Sequence, residues 1–195
     1  MDPARPILRL LFWESTIRCN LACAHCRRLE SDEAAFKDLT TAQAMRLINQ
    51  LAALGAEQPT MPVMVFSGGE PLCREDLFDL MAHARGAGIP VALATNGTLV
   101  DANVARRIAE AGIIRCSVSL DGATPEVHNR LRKLEGSFER ALAGIEHLRR
   151  AGVPFQINMT LTRHNAGQLQ DVYELARRLG AVAVHIFMLV PVGCG

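Results

Sequence analysis

Three of the six cysteines of this 195-residue chain crowd into eight positions, Cys19-Asn20-Leu21-Ala22-Cys23-Ala24-His25-Cys26, with the spacing C-x3-C-x2-C. In a reducing compartment such a cluster suits a metal better than a disulfide framework. With 49% hydrophobic residues, the chain can also build a core without covalent staples. Three thiolates on one loop can bind three irons of a [4Fe–4S] cubane and leave the fourth without a protein ligand. That open corner separates a cluster that does chemistry from one that only carries electrons, for which a fourth cysteine is normal. A structural zinc is the competing reading; it wants four closed ligands, and His25 is the obvious extra candidate. The remaining cysteines read differently. Cys116 falls in an apolar strand and suits a small buried hydrophobe, Cys73 is ambiguous, and Cys194 sits at the very end of the sequence.

Further groups that could do chemistry follow at intervals. In Ser67-Gly68-Gly69-Glu70-Pro71, glycines allow a backbone to approach a ligand closely, and a carboxylate or carbonyl can accept hydrogen bonds from an ammonium group. An ordinary turn with a solvated Glu70 is the plainer alternative. Thr95-Asn96-Gly97 and Ser119-Leu120-Asp121-Gly122 place small polar groups where strands should end, although Asn-Gly and Asp-Gly are also common turn formers. His83 and His147 fall on amphipathic helices and read as surface residues.

The elements that must position these groups alternate regularly. Strand-like runs occur at 7–13, 63–66, 91–94, 114–120, 155–161 and 183–190, with amphipathic stretches at 41–54, 75–85, 101–111, 137–151 and 169–179. Leu47, Leu51 and Leu54 recur at helical spacing before Gly55 as a stop, and Asp101 and Gly112 bracket another helix. Gly88-Ile89-Pro90 and Gly152-Val153-Pro154 each mark a helix end followed at once by a strand. A βαβα order with short connections predicts a parallel sheet, and several nearly continuous apolar strands predict that both its faces are covered. Six strands and five helices predict an α/β partial (βα)6 TIM-like barrel. An open doubly wound sheet is the alternative, but Glu70-Pro71 after the tandem glycine is poor chemistry for a pyrophosphate turn. In a barrel the cysteine loop would lie at the C-terminal end of the first strand, where active sites gather. Residues 1–7 read as a tail and 8–195 as one core domain, and the stop just after strand six is expected of the first part of a longer protein.

A formal net charge of +1 gives no reason to expect a nucleic-acid or membrane-surface partner. Only Lys37 and Lys133 are lysines; the arginine bias suits bidentate carboxylate recognition and equally a biased genome composition. The longest apolar run, Ala181–Val192, is too short to span a bilayer and contains His185. Nor does the N-terminus carry a secretory signal, so a cytoplasmic protein is expected.

Taken in order, these motifs resemble the radical S-adenosylmethionine superfamily, whose signature is C-x3-C-x-aromatic-C; His25 holds the aromatic position, and the resemblance runs from Leu8 to Val190. It implies that Cys19, Cys23 and Cys26 ligate a [4Fe–4S] cluster and that His25 lies against the adenine of S-adenosylmethionine. It further implies that Ser67, Gly68, Gly69 and Glu70 hold the amino group of that molecule. Asn96, Ser119 and Asp121 would reach its ribose and carboxylate, Arg130 would pair with the carboxylate, and Asn158 and Leu189 would touch ribose and adenine. The chemistry implied is reductive cleavage to a 5′-deoxyadenosyl radical, with a donor such as a ferredoxin or flavodoxin. The segments Leu8–Thr16 and Phe187–Gly193 resemble one branch, the haem-biosynthesis radical enzymes and the related haem d1 maturases. That branch implies a porphyrinoid substrate, first of all iron-coproporphyrin III. Arg27, Arg28, Arg132 and Arg163 could then meet its carboxylates, or simply be solvated charges. Peptide-maturing enzymes with a C-terminal auxiliary-cluster domain share the same core and imply a peptide substrate instead. The rival from another class is a non-catalytic metal-binding or electron-transfer protein.

Overall fold

The computed structural model describes residues 6–26, 28 and 37–190. Six strands are present, β1 (Leu10–Glu14), β2 (Val63–Ser67), β3 (Val91–Thr95), β4 (Arg115–Ser119), β5 (Phe155–Leu161) and β6 (Val184–Met188). Six α-helices connect them: α1 (Thr41–Ala56), α2 (Leu77–Gly86), α3 (Ala102–Glu110), α4 (Pro125–Arg132), α5 (Ser137–Arg150) and α6 (Leu169–Leu179). All strand pairs are parallel and the order is β1-β2-β3-β4-β5-β6. A doubly wound sheet would reverse its strand order at a switch point. This one never does, and it curls into a half-barrel with helices on its convex side. No helix among the described residues is long and apolar enough to cross a membrane.

Local signals explain most of the boundaries. Thr40 and Gln43 form a reciprocal capping box at the start of α1, and Asp101 Oδ1 accepts from Val104 N at 2.7 Å to open α3. Gly88, Gly112 and Gly152 take positive φ just past the ends of α2, α3 and α5. Gly55 is a correction: α1 runs through it to Ala56, because the missing Cβ leaves room for the Met61 side chain rather than ending the helix. Helix α4 is a second correction to the five-helix expectation. Only Val127 and Leu131 mark its apolar periodicity, and Thr124-Pro125 is its one start signal.

The strands divide their side chains by alternation. On the convex side Met64, Phe66, Leu93, Cys116, Val118, Ile157 and Met159 are fully buried against Ile48, Leu80, Ile108, Ile145 and Leu148 from the helices. Cys116 is there as a core residue, and burial pushes its thiol up. The concave side is not the apolar surface that continuous runs would give. Phe12, Val65 and Ala92 stand on β1–β3, whereas Arg115, Ser117, Ser119, Gln156, Asn158, Thr160 and His185 stand on β4–β6.

One helix contact bears directly on the loops above the sheet. Gly144 in α5 packs on the backbone of Gly97, just after β3, and a Cβ at Gly144 would overlap the Gly97 carbonyl oxygen. Gly86, at the end of α2, has open space around it. Gly144→Ala should therefore lower stability by about 1–3 kcal/mol despite the better helix propensity of alanine. Gly86→Ala should be neutral or stabilising by up to about 1 kcal/mol. Urea denaturation of the two variants against the parent gives the opposite signs directly.

Candidate active site

The cysteine loop leaves the end of β1 without regular structure, so its shape is imposed by its neighbours. Ser15 N donates to Ser67 O (2.8 Å), Gly69 N to Thr16 O (2.8 Å) and Glu70 N to Arg18 O (2.8 Å), which extends the β1–β2 pairing beyond the strands. Asp38 accepts from Thr16 Oγ1 (2.6 Å) and Ile17 N (2.9 Å). Arg74, buried over the Trp13 ring, donates to Ser15 O at 2.7 Å while paired with Asp76. Further along, Asn20 accepts from Asn96 Nδ2 (2.8 Å) and donates to Thr98 Oγ1 (2.8 Å), and Ala24 N donates to Leu131 O at the end of α4 (2.8 Å).

Gly68 and Gly69 have a more local purpose than contact with a ligand alone. Added Cβ atoms there would collide with the backbone of Thr16 at Gly68 and of Ile17 and Arg18 at Gly69, so the tandem glycine is what lets the two loops lie side by side. Gly68 also holds φ at +137°. Glu70 is not a solvated turn residue. Its carboxylate is fully buried and accepts from Leu72 N (3.1 Å), Thr95 Oγ1 (2.8 Å) and Asn96 N (2.7 Å). Burial pushes this carboxyl up, against the opposing pull of those three donors.

A second buried group closes the other side. Arg132 Nη2 pairs with Asp121 Oδ2 at 2.8 Å, and its Nη1 reaches Cys23 Sγ at 3.7 Å. Asp121 Oδ1 accepts from Thr160 N (2.8 Å), and His25 Nε2 lies 3.7 Å from Asp121 Oδ2. Burial pushes the Cys19 and Cys23 thiols up; at Cys23 the Arg132 charge pulls the other way. Burial lowers the His25 pKa, although Asp121 opposes it. Behind this group, His128 Nδ1 accepts from Asp121 N at 3.2 Å and its ring meets Phe138 edge-on.

These loops enclose a cavity of about 330 Å³ at the C-terminal ends of the strands. Cys19, Cys23, Cys26, His25, Ser67, Gly68, Gly69, Asn96, Ser119 and Asn158 all line it. Glu70 and Asp121 do not; both are fully buried behind the wall, where they fasten loops together. Arg130 is exposed on α4, outside the cavity, while Arg132, two positions on, lines it. Leu189 belongs to an adjoining cavity with Leu161, Arg163 and Met188. Arg28 donates to Leu21 O at 3.1 Å; Arg27 and Cys194 lie outside the described residues. Cys73 is half-buried near the Asn20 backbone, and His83 meets Asn49 Oδ1 at 2.8 Å. Thr160 and Phe187 also line the cavity and were not singled out in the sequence, although period two from Asn158 would have found the first of them.

A sequential parallel half-barrel with a three-thiol loop at its mouth defines a cofactor-binding α/β core. Residues 13–176 match the model of the Radical SAM superfamily, to which this chain therefore belongs. The chain is 46% identical over 187 residues to the AdoMet-dependent heme synthase of Methanosarcina barkeri (strain Fusaro / DSM 804), covering 96% of this chain and 52% of that protein. It is 38% identical over 186 residues to the mycofactocin maturase MftC of Mycobacterium ulcerans (strain Agy99), covering 95% and 48%. The chain thus spans about half the length of the curated relatives it matches. The fold is shared with the solved structure of native anSMEcpe with bound AdoMet, at a TM-score of 0.76 and 24% identity over 94% of this chain and 52% of that one.

The cofactors of this superfamily are a [4Fe–4S] cluster and S-adenosylmethionine, and the residues present fit them. Cys19, Cys23 and Cys26 line one cavity from a single loop, and three thiolates suit three irons of a cubane. Buried His25 Nδ1 and Arg132 Nε also lack hydrogen-bond partners among the described residues, and both side chains line the cavity.

Glu70→Gln puts an amide N–H against a backbone or hydroxyl donor. A loss of about 1–3 kcal/mol is expected, read as a lower urea midpoint with an unchanged slope. His128 gives a pH dependence. Its pKa falls from 6.5 to about 4 on folding, chiefly by burial, so the folded state favours the neutral ring. This contribution is complete above pH 6.5 and is lost as pH falls towards 4. The parent should lose roughly 1 kcal/mol more than His128→Asn between about pH 7.5 and 5.5, measured by urea titration at each pH.

Proposed function

We propose that the full protein is a radical S-adenosylmethionine enzyme of haem biosynthesis that oxidatively decarboxylates propionate side chains of an iron porphyrinoid, iron-coproporphyrin III being the substrate. The observation that carries this reading is the cavity with three thiols on one wall and strand-end polar groups on the other, found in a chain close in sequence to a named heme synthase. Cys19, Cys23 and Cys26 would hold the cluster. When bound, the cluster and S-adenosylmethionine would supply one-electron cleavage of the sulfonium and hydrogen-atom abstraction from the substrate; loss of CO2 would then turn the propionate into a vinyl group, with the remaining electron passing to a one-electron acceptor.

The chain's own residues would do the positioning. Backbone carbonyls along Ser67–Gly69 would accept from the cofactor's ammonium group, and Asn96, Ser119 and Asn158 would meet its hydroxyl and carboxylate oxygens. His25, uncharged through burial, would offer a flat face to the adenine. Arg132 would offset the negative charge gathered at the thiolates, with Asp121 holding its orientation. Arg130 is given no role, because it lies outside the cavity. A small one-electron carrier, a ferredoxin or flavodoxin, would deliver the electron.

Full-length protein reconstituted anaerobically with iron and sulfide, reduced with dithionite and given S-adenosylmethionine, iron-coproporphyrin III and a one-electron acceptor should yield 5′-deoxyadenosine and a porphyrin in which one propionate per turnover has become vinyl by loss of a hydrogen atom and CO2. Cys19→Ala should abolish both products. A fully loaded cluster that produces no 5′-deoxyadenosine would sink the enzymatic reading. Hydrogen abstraction from a peptide alone would favour the second reading, peptide maturation, which the similarity to a mycofactocin maturase supports.

A further inference from the structure

The concave face carries a hydrogen-bonded chain for which the cofactor site does not account. Gln156 on β5 is almost fully buried and uses every polar atom of its amide. Its oxygen accepts from Arg115 Nη1 (3.3 Å), and its nitrogen lies 2.8 Å from Asn158 Oδ1 and 2.9 Å from His185 Nδ1. A guanidinium can only donate, so the amide oxygen must face Arg115 and the NH2 must face the other two. It follows that His185 Nδ1 is an acceptor and that the ring proton sits on Nε2. The same step turns Asn158 so that its own NH2, not its oxygen, is free towards the cavity.

The register places His185 beside the cofactor cavity. It pairs with Asn158, which pairs in turn with Ser119, and both of those line the cavity. Phe187, two residues further along β6 and on the same face, lines it too and contacts the His185 ring edge-on. His185 is exposed, and its Nε2 has no hydrogen-bond partner among the described residues. Across the sheet the side chains are apolar: Phe12, 64% exposed, continues through the buried Val65 and Ala92 to Arg115 along one line of register. An oriented N–H donor thus faces an apolar strip of sheet, which suits a flat apolar molecule with carboxylates on its rim.

On the tetrapyrrole reading given above, we propose that His185 binds a substrate carboxylate through Nε2–H, with Gln156 and Arg115 as positioning residues that fix its tautomer. Loss of a hydrogen bond to a charged group should weaken binding about tenfold or more. The test is titration of full-length protein with iron-coproporphyrin III and with metal-free coproporphyrin III, followed by absorbance and fluorescence. His185→Ala should weaken both about tenfold, and His185→Gln, which restores an N–H donor, should recover to within about threefold. Arg115→Met, which removes no contact to substrate, should weaken both by about threefold by freeing the Gln156 amide to turn.

Unchanged affinity in His185→Ala, with normal binding by the parent, overturns the inference and leaves the substrate reading standing. Loss confined to the iron-bearing porphyrin also overturns it, since that pattern belongs to a metal ligand. A His185→Gln variant as weak as His185→Ala counts against the hydrogen bond, and an Arg115→Met variant as tight as the parent counts against the relay. A parent protein that binds neither porphyrin overturns the substrate reading and this inference with it.

Discussion

A carboxylate with no exposure, such as that of Glu70, is tolerated inside a protein only when donors surround it, and the donors here come from separate segments. Its side chain is fixed by Leu72, Thr95 and Asn96, and its own N–H holds Arg18 of the cysteine loop. Three successive strand ends, β1, β2 and β3, are therefore tied through one residue. The cysteine loop has no helix or strand of its own to define it, so the spacing of its thiols depends on this tie, on the tandem glycine beside it and on the Asn20–Asn96 contact. Were Glu70 solvated, the loop would keep its sequence spacing and lose its shape.

Electrostatics continue the same construction on the other flank. Asp121 closes β4, reaches across to the Thr160 N–H on β5 and turns Arg132 towards Cys23. A buried ion pair contributes little net stability on average, because desolvation opposes the attraction. Its value here is positional: it sets a fixed positive group next to Cys23, where its charge opposes the upward push of burial on the thiol. Helix α4 is short, and it is held in part by the polar groups it buries, His128 and Asn129, the latter accepting from Ser137 Oγ and Phe138 N.

Much of this was legible in the residues. The C-x3-C-x2-C spacing, the order of the polar motifs and the repeated glycine-proline punctuation led to a parallel partial barrel with the thiols at the strand ends, and the fold is so built. What the sequence hid was which partner each group would choose. Gly68 and Gly69 read as room for a ligand, yet their nearest neighbours are Thr16, Ile17 and Arg18 of the same chain. Arg130 and Arg132 sit on one helix, but positions two apart face different ways, and only packing decides that the second turns inward. Buried polar residues such as Glu70 and Gln156 carry no one-dimensional mark, since their burial is created by segments far away in the chain.

The polar half of the concave face shows the same rule at work where no motif signals it. Strand β5 reads Phe-Gln-Ile-Asn-Met-Thr-Leu, and its strict alternation places every polar side chain on the inner surface. Once Gln156 is enclosed, its amide has a single satisfying arrangement, because Arg115 can offer only donors. That arrangement passes on to Asn158 and His185 and fixes which of their atoms remain free. A constraint at the N-terminal end of β4 thereby sets donor directions at the level of the cofactor cavity, although Arg115 itself does not line that cavity. The half-barrel's mouth is shaped from above by Glu70 and Asp121 and from below by Gln156, and in each case a buried polar group held by its partners determines what the neighbouring exposed ones present.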